Sequence, residues 1–202
     1  TNGPGKLIVK ETSRFACSGA LKEKVVTMYP PVPSPIFTGK DSVCLYNVEL
    51  YSAPAVNNIS NYKWLIDGGS IVGNSDQRNI EVVWNRIGKG YLKLVQVSAD
   101  GCESDTFNMD ITTIKLNAPT IVGPVSICPN NLNEYYIETP NSSSTYIWFY
   151  NGVEQVQSNS DKIIIRFGDP AIDVVSVVEE NSLKCKSDTG KLRIKVDHDL
   201  DG

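Results

Sequence analysis

The sequence predicts an all-β chain built from tandem β-sandwich modules in a rod-like arrangement. Three observations predict it. Short runs rich in Val, Ile, Thr and Tyr alternate with clusters of Asn, Ser, Gly, Pro and Asp. The pattern of the first half recurs in the second at a nearly constant offset. The cysteines recur at matching places within that pattern.

The strands come first. Tyr62-Lys63-Trp64-Leu65-Ile66 and Ile80-Glu81-Val82-Val83-Trp84 are runs of strand length. A period of two puts Tyr62, Trp64 and Ile66 on one face, and Ile80, Val82 and Trp84 on another. Short strands separated by turn residues point to a sandwich rather than to alternating strands and helices. No helix longer than a turn is expected. Trp64 and Trp148, on central strands, are expected between the two sheets; an exposed aromatic platform for sugar is the alternative.

The repeat sets the organisation. Cys44 recurs as Cys128, Tyr62 and Trp64 as Tyr146 and Trp148, and Pro35 and Gly39 as Pro119 and Gly123. Further on, Ile80 recurs as Ile163, Trp84 as Phe167, Leu92 and Leu94 as Val175 and Val177, and Cys102 as Cys185. The pattern also runs backwards, with Cys17 matching Cys102, and Leu7 and Val9 matching Leu92 and Leu94. Residues 1–33 therefore read as the last strands of an earlier repeat, so the chain is expected to begin inside one. Two full modules follow, at 34–116 and 117–197, and then an acidic tail or linker at 198–202. The Pro-rich junction from Tyr29 to Pro35 and the short one from Leu116 to Pro119 are expected to be stiff, because proline fixes φ.

In each full module one Cys precedes the second strand and one follows the sixth. With both connections taken to lie at one pole, the cysteines of a module would meet. The expected disulfides are Cys44–Cys102 and Cys128–Cys185, with Cys17 left unpaired within the chain. On the chain-entropy account, closing such a loop stabilises a module by about 4 kcal/mol. Paired cysteines also point to an oxidising compartment. A zinc site is disfavoured, because the cysteines do not form C-x-x-C pairs and the one histidine is His198.

Composition narrows the function classes. With 41% hydrophobic and 21% charged residues, the chain can bury cores and is not disordered. A net charge of −4 gives no footprint for a nucleic-acid or anionic-membrane partner. No apolar run is long enough to span a membrane.

One set of residues carries a family resemblance. Pro35 to Gly39, Val43-Cys44, Tyr62-Lys63-Trp64, Gly68, Ile80 to Trp84 and Leu92 to Cys102 form a pattern spread over a whole module. It resembles the PKD-like, immunoglobulin-like repeats of large secreted Bacteroidota proteins. Such repeats occur in cell-surface adhesins, gliding-motility proteins and type IX secretion substrates, and as accessory modules beside hydrolases. The second module departs from the pattern at Phe167 and at Asp169-Pro170-Ala171, which replaces the Gly88-Lys89-Gly90 turn.

Candidate chemistry is sparse. With one histidine, near the end, Ser-His-Asp and Cys-His arrangements have no support, and no catalytic residue or bound cofactor is expected. The strongest signal is Asp197-His198-Asp199-Leu200-Asp201-Gly202. Its alternate carboxylates Asp197, Asp199 and Asp201 match the front of a calcium loop, though the distal acidic ligand is lacking. Asn58-Ile59-Ser60 and Asn141-Ser142-Ser143 match the N-glycan acceptor pattern, and Asp41-Ser42-Val43 an O-glycan one. The residues favour a non-catalytic, extracellular spacer array in a secreted or cell-surface protein such as an adhesin or gliding-motility protein. Its partners would be neighbouring repeats and, further out, a surface polysaccharide or another surface protein. The alternative is an accessory carbohydrate- or protein-binding module of a secreted hydrolase.

Overall fold

The computed structural model describes residues 4–155, 160–169 and 171–197. Among the described residues every regular element is a β-strand. An antiparallel hairpin comes first, β1 (Gly5–Val9) with β2 (Lys22–Val26). Seven strands follow: β3 (Ser42–Cys44), β4 (Val48–Ser52), β5 (Ile59–Asp67), β6 (Gly69–Val72), β7 (Asn79–Trp84), β8 (Gly88–Ser98) and β9 (Phe107–Ile114). They make a four-stranded sheet, β3-β9-β8-β5, and a three-stranded one, β4-β7-β6. The rest comprises β10 (Ile121–Val122), β11 (Ser126–Ile127), β12 (Leu132–Ile137), β13 (Thr145–Tyr150), β14 (Val153–Glu154), β15 (Lys162–Arg166), β16 (Ile172–Glu180) and β17 (Gly190–Val196). Here the sheets are β10-β12-β15 and β11-β17-β16-β13-β14.

Each pair of sheets closes on its own core, so the chain holds two immunoglobulin-like β-sandwiches. The first core gathers Phe37, Tyr51, Trp64, Val82, Trp84, Leu92, Leu94 and Ile111. The second gathers Tyr135, Tyr146, Trp148, Ile163, Phe167, Val175, Val177 and Ile194. Alternation explains the selection: on β7, Ile80, Val82 and Trp84 are buried while Asn79 and Glu81 face water. Trp64 and Trp148 lie between the sheets, and their indole N–H groups are satisfied by the carbonyls of Gln77 and Ser160 at 2.8 and 2.9 Å. A large buried side chain contributes about 1.5–3 kcal/mol, provided its polar tip finds a partner.

The repeat holds at the level of register. Leu92 faces Met109 across β8–β9, Val175 faces Leu192 across β16–β17, and Leu7 faces Lys24 across β1–β2. Val43 pairs with Thr113, and Ile127 with Val196, in matching parallel ladders. The hairpin β1–β2 thus copies the last two strands of a sandwich, but its Leu7 and Val9 are exposed where Leu92 and Leu94 are fully buried.

The recurring Pro-x-x-x-Gly has a steric cause. The rings of Tyr51 and Tyr135 lie on Gly39 and Gly123, where an added Cβ would come 2.2 and 2.3 Å from a ring carbon. Their hydroxyls donate to the carbonyls of Lys40 and Pro124 at 2.9 and 3.0 Å. Burial pushes both phenols up to about 12. Tyr51 also accepts the Trp84 indole N–H at 3.1 Å; Phe167, in the matching place, offers no donor and packs edge-on against Tyr135 and Tyr150.

The expected pairings Cys44–Cys102 and Cys128–Cys185 are corrected by the structure. The disulfide joins Cys44 to Cys185, and Cys17, Cys102 and Cys128 carry none. Strand direction is the reason. Cys44 pairs with Ile114 at the end of β9, while Cys102 sits in the turn leading into its start, near Phe107. The eight residues of β9 separate the two by roughly 23 Å at about 3.3 Å per residue. A disulfide tolerates Cα atoms only about 4.4–6.8 Å apart. Cys128 and Cys185 are held apart in the same way by β17.

Gly39→Ala and Gly123→Ala should each lower stability to urea by about 1–3 kcal/mol, the usual cost of overpacking. Gly168→Ala, where a Cβ would meet nothing within 4 Å, should change it by no more than about 0.5 kcal/mol.

Candidate functional site

The junction between the sandwiches is the site the fold builds most deliberately. β3 and β9 end side by side, which brings Cys44 to the pole where the chain leaves the first sandwich. The turn between β16 and β17 brings Cys185 to the pole where the chain enters the second. The two meet with their Cα atoms 5.3 Å apart, across 141 residues of sequence.

The turn carrying Cys185 is held by its own hydrogen bonds. Asn181 N–H donates to the Cys185 carbonyl at 3.1 Å and Lys184 N–H to the Asn181 carbonyl at 2.9 Å. Cys185 N–H donates to Asn181 Oδ1 at 2.9 Å. Lys184, just before the cysteine, takes a left-handed conformation at φ 65°. On the other side, Cys44 opens a turn in which Tyr46 is left-handed at φ 66°, Tyr46 N–H donates to the Trp84 carbonyl at 2.8 Å, and Leu45 N–H to that of Ile114 at 2.9 Å. Both half-cystines therefore leave hydrogen-bonded turns, which place their Cα atoms at a separation a disulfide accepts.

Charge supports the contact. Lys115, in the linker, lies 3.5 Å from Asp188 beyond the Cys185 turn. Lys184 and Lys186 flank Cys185, and both reach the Glu180 carboxylate, at 2.8 and 3.7 Å. The hydrogen bond from Lys184 holds Glu180 below the usual carboxylate range. A cleft of about 140 Å³ remains at the seam, lined by Leu45, Tyr46, Leu116, Lys186 and neighbours. The linker packs closely onto the second sandwich: a Cβ on Gly190 would lie 2.1 Å from the Pro119 carbonyl oxygen.

The other candidate residues stay apart from this junction. Asp197 binds locally, accepting from Ser126 Oγ at 2.9 Å and pairing with Lys195. Asp199 and Asp201, its expected partners in a calcium loop, lie outside the described residues, as do His198 and Pro170. Among the described residues no three His, Cys, Asp or Glu side chains gather as a metal set. Asn58 and Asn141 are exposed loop residues and Asp41 an exposed one beside β3. Among the described residues no helix is long and apolar enough to cross a membrane. The turn residues Asn181 and Lys184 and the Lys115–Asp188 pair went unread in the sequence. The spacing Ser13-x-x-x-Cys17, Ser98-x-x-x-Cys102 and Asn181-x-x-x-Cys185 was the available signal.

Residues 30–111 match the family model of the PKD-like domain. No curated protein matches the chain. Solved structures similar to it include fibronectin(III)-like modules of CbhA from Clostridium thermocellum, 13% identical, covering 81% of this chain and 95% of that one at a TM-score of 0.42. A putative membrane-anchored protein from Corynebacterium diphtheriae is 11% identical, with 98% of this chain and 59% of that one covered, at a TM-score of 0.40. Murine CEACAM1b is 9% identical, with 81% and 100% covered, at a TM-score of 0.38.

Cys44→Ser and Cys185→Ser should each leave both sandwiches folded but free their relative orientation. Residual dipolar couplings from the two sandwiches should then need separate alignment tensors, and the double variant should add nothing to either single one. Lys115→Ala should keep a common tensor, since an exposed ion pair contributes about 0–1 kcal/mol.

Proposed function

We propose that the chain is a non-catalytic spacer array of an extracellular protein, secreted or displayed on the cell surface, in the manner of an adhesin or gliding-motility protein. One observation carries this reading: the Cys44–Cys185 bond locks one sandwich to the next rather than stapling either internally. A cross-link inside a module would add stability alone. A cross-link between modules limits hinge motion, and that is of use where distance or direction must be held. Disulfides persist in oxidising compartments, which favours an extracellular setting. The matched Tyr51 and Tyr135, and the matched Trp64 and Trp148, are buried in the cores. The shifted phenols are accounted for by that burial, and the Asp67 carboxyl, held low by its hydrogen bond from Arg86, sits in an exposed ion pair.

Small-angle scattering from the oxidised chain should give an elongated distance distribution that broadens on reduction. A compact globule would overturn the spacer reading. Retardation of the chain in gels containing mixed-linkage β-glucan or xylan would move the assignment to an accessory carbohydrate-binding module.

A further inference from the structure

The halves of the Cys44–Cys185 staple are each built again elsewhere in the chain. Around Cys102, Ser98 N–H donates to the Cys102 carbonyl at 2.9 Å, Gly101 N–H to the Ser98 carbonyl at 3.0 Å, and Cys102 N–H to Ser98 Oγ at 3.1 Å. These are the three bonds that shape the Cys185 turn, and Gly101 is left-handed where Lys184 is. Asp105 stands where Asp188 meets the linker lysine, on the same side of its cysteine. Cys128 repeats Cys44: it follows β11, which pairs with the end of β17 as β3 does with β9. Asn130 is left-handed at φ 61°, and its N–H donates to the Phe167 carbonyl at 3.0 Å, as Tyr46 does to Trp84. Cys128 is exposed, Cys102 half-buried, and neither is bonded.

We propose that Cys102 and Cys128 are open halves of the same inter-module staple, each pole taking a further module of this build. The partner at Cys128 presents a cysteine in the turn before its last strand. The partner at Cys102 presents one after its first short strand. Strand polarity gives every module one half of each kind at opposite poles, so the bond propagates along an array with one disulfide per junction. Its formation takes two thiols to one disulfide, releasing two protons and two electrons; a disulfide oxidant such as oxidised glutathione accepts them and leaves as two thiols. This deepens the array reading and rests on it.

The test extends the chain. After residue 197 come residues 115–118 and then a copy of residues 35–114 with Cys44→Ser, while the original first module carries Cys102→Ser. The chain then has one Cys128 and one Cys102, the latter in the appended module. Oxidation in a glutathione buffer, alkylation and digestion should yield a Cys128–Cys102 cross-linked peptide beside the Cys44–Cys185 one. A second chain, appending a copy of residues 115–197 with Cys128→Ser, covers a first version that fails to fold; there Cys128 should join the appended Cys185, told apart by Leu183→Met in the copy. The cross-link in either chain supports the proposal. Cys128 alkylated in both, with Cys44–Cys185 intact, overturns it, and the scattering result for the unextended chain then stands or falls separately.

Discussion

In each sandwich the short strand at Cys44 or Cys128 runs parallel to the last strand, so its far end and the turn before the last strand lie at opposite poles. A cysteine placed at each therefore cannot close on its own module, because a strand of roughly 23 Å stands between them. It can only meet the complementary cysteine of a neighbour. That constraint turns what looks like an internal staple into a link between modules, and the other junction features serve it. The left-handed residues Tyr46 and Lys184 turn the chain sharply at the two poles. Asn181 fixes the backbone of Cys185, and the linker, pressed against Gly190, sets the separation.

The sandwiches themselves tolerate variation around a fixed frame. The tyrosine that lies on a glycine and donates to the next residue's carbonyl is present in both, at Tyr51 and Tyr135. The tryptophan that donates to Tyr51 has become Phe167 in the second, which loses the hydrogen bond, keeps the edge-on contact with the tyrosine and adds one with Tyr150. The strand after the Tyr-x-Trp strand differs too: β6 pairs with β7 in the first sandwich, and β14 with β13 in the second. Frame positions act through sterics and register, so they repeat; β6 and β14 hold no fully buried side chain, and they differ.

The fold was legible because the signals are periodic. Alternation in Ile80-Glu81-Val82-Val83-Trp84 marks a buried face, and Tyr-x-Trp recurs with its spacing intact. The junction was legible only in part. The four cysteines that matter were identified from the repeat, but spacing along the chain says nothing about which pole each one occupies. Polarity came from the parallel pairing of β3 with β9, a three-residue strand too short to read from pattern. The Lys115–Asp188 contact was hidden for the same reason, since it joins a linker to a turn of the next module. Asn181 could have been found by aligning the residue four before each cysteine, where Ser13, Ser98 and Asn181 all offer a side-chain acceptor.

The link between the sandwiches stands on one pairing. Digestion of the oxidised, unreduced chain under acidic conditions, which suppress disulfide exchange, followed by mass spectrometry reads that pairing directly. The expected result is a single cross-linked species joining the Cys44 peptide to the Cys185 peptide, with Cys17, Cys102 and Cys128 recovered as thiols. Recovery of Cys44 bound to Cys102, with Cys128 bound to Cys185, would contradict it.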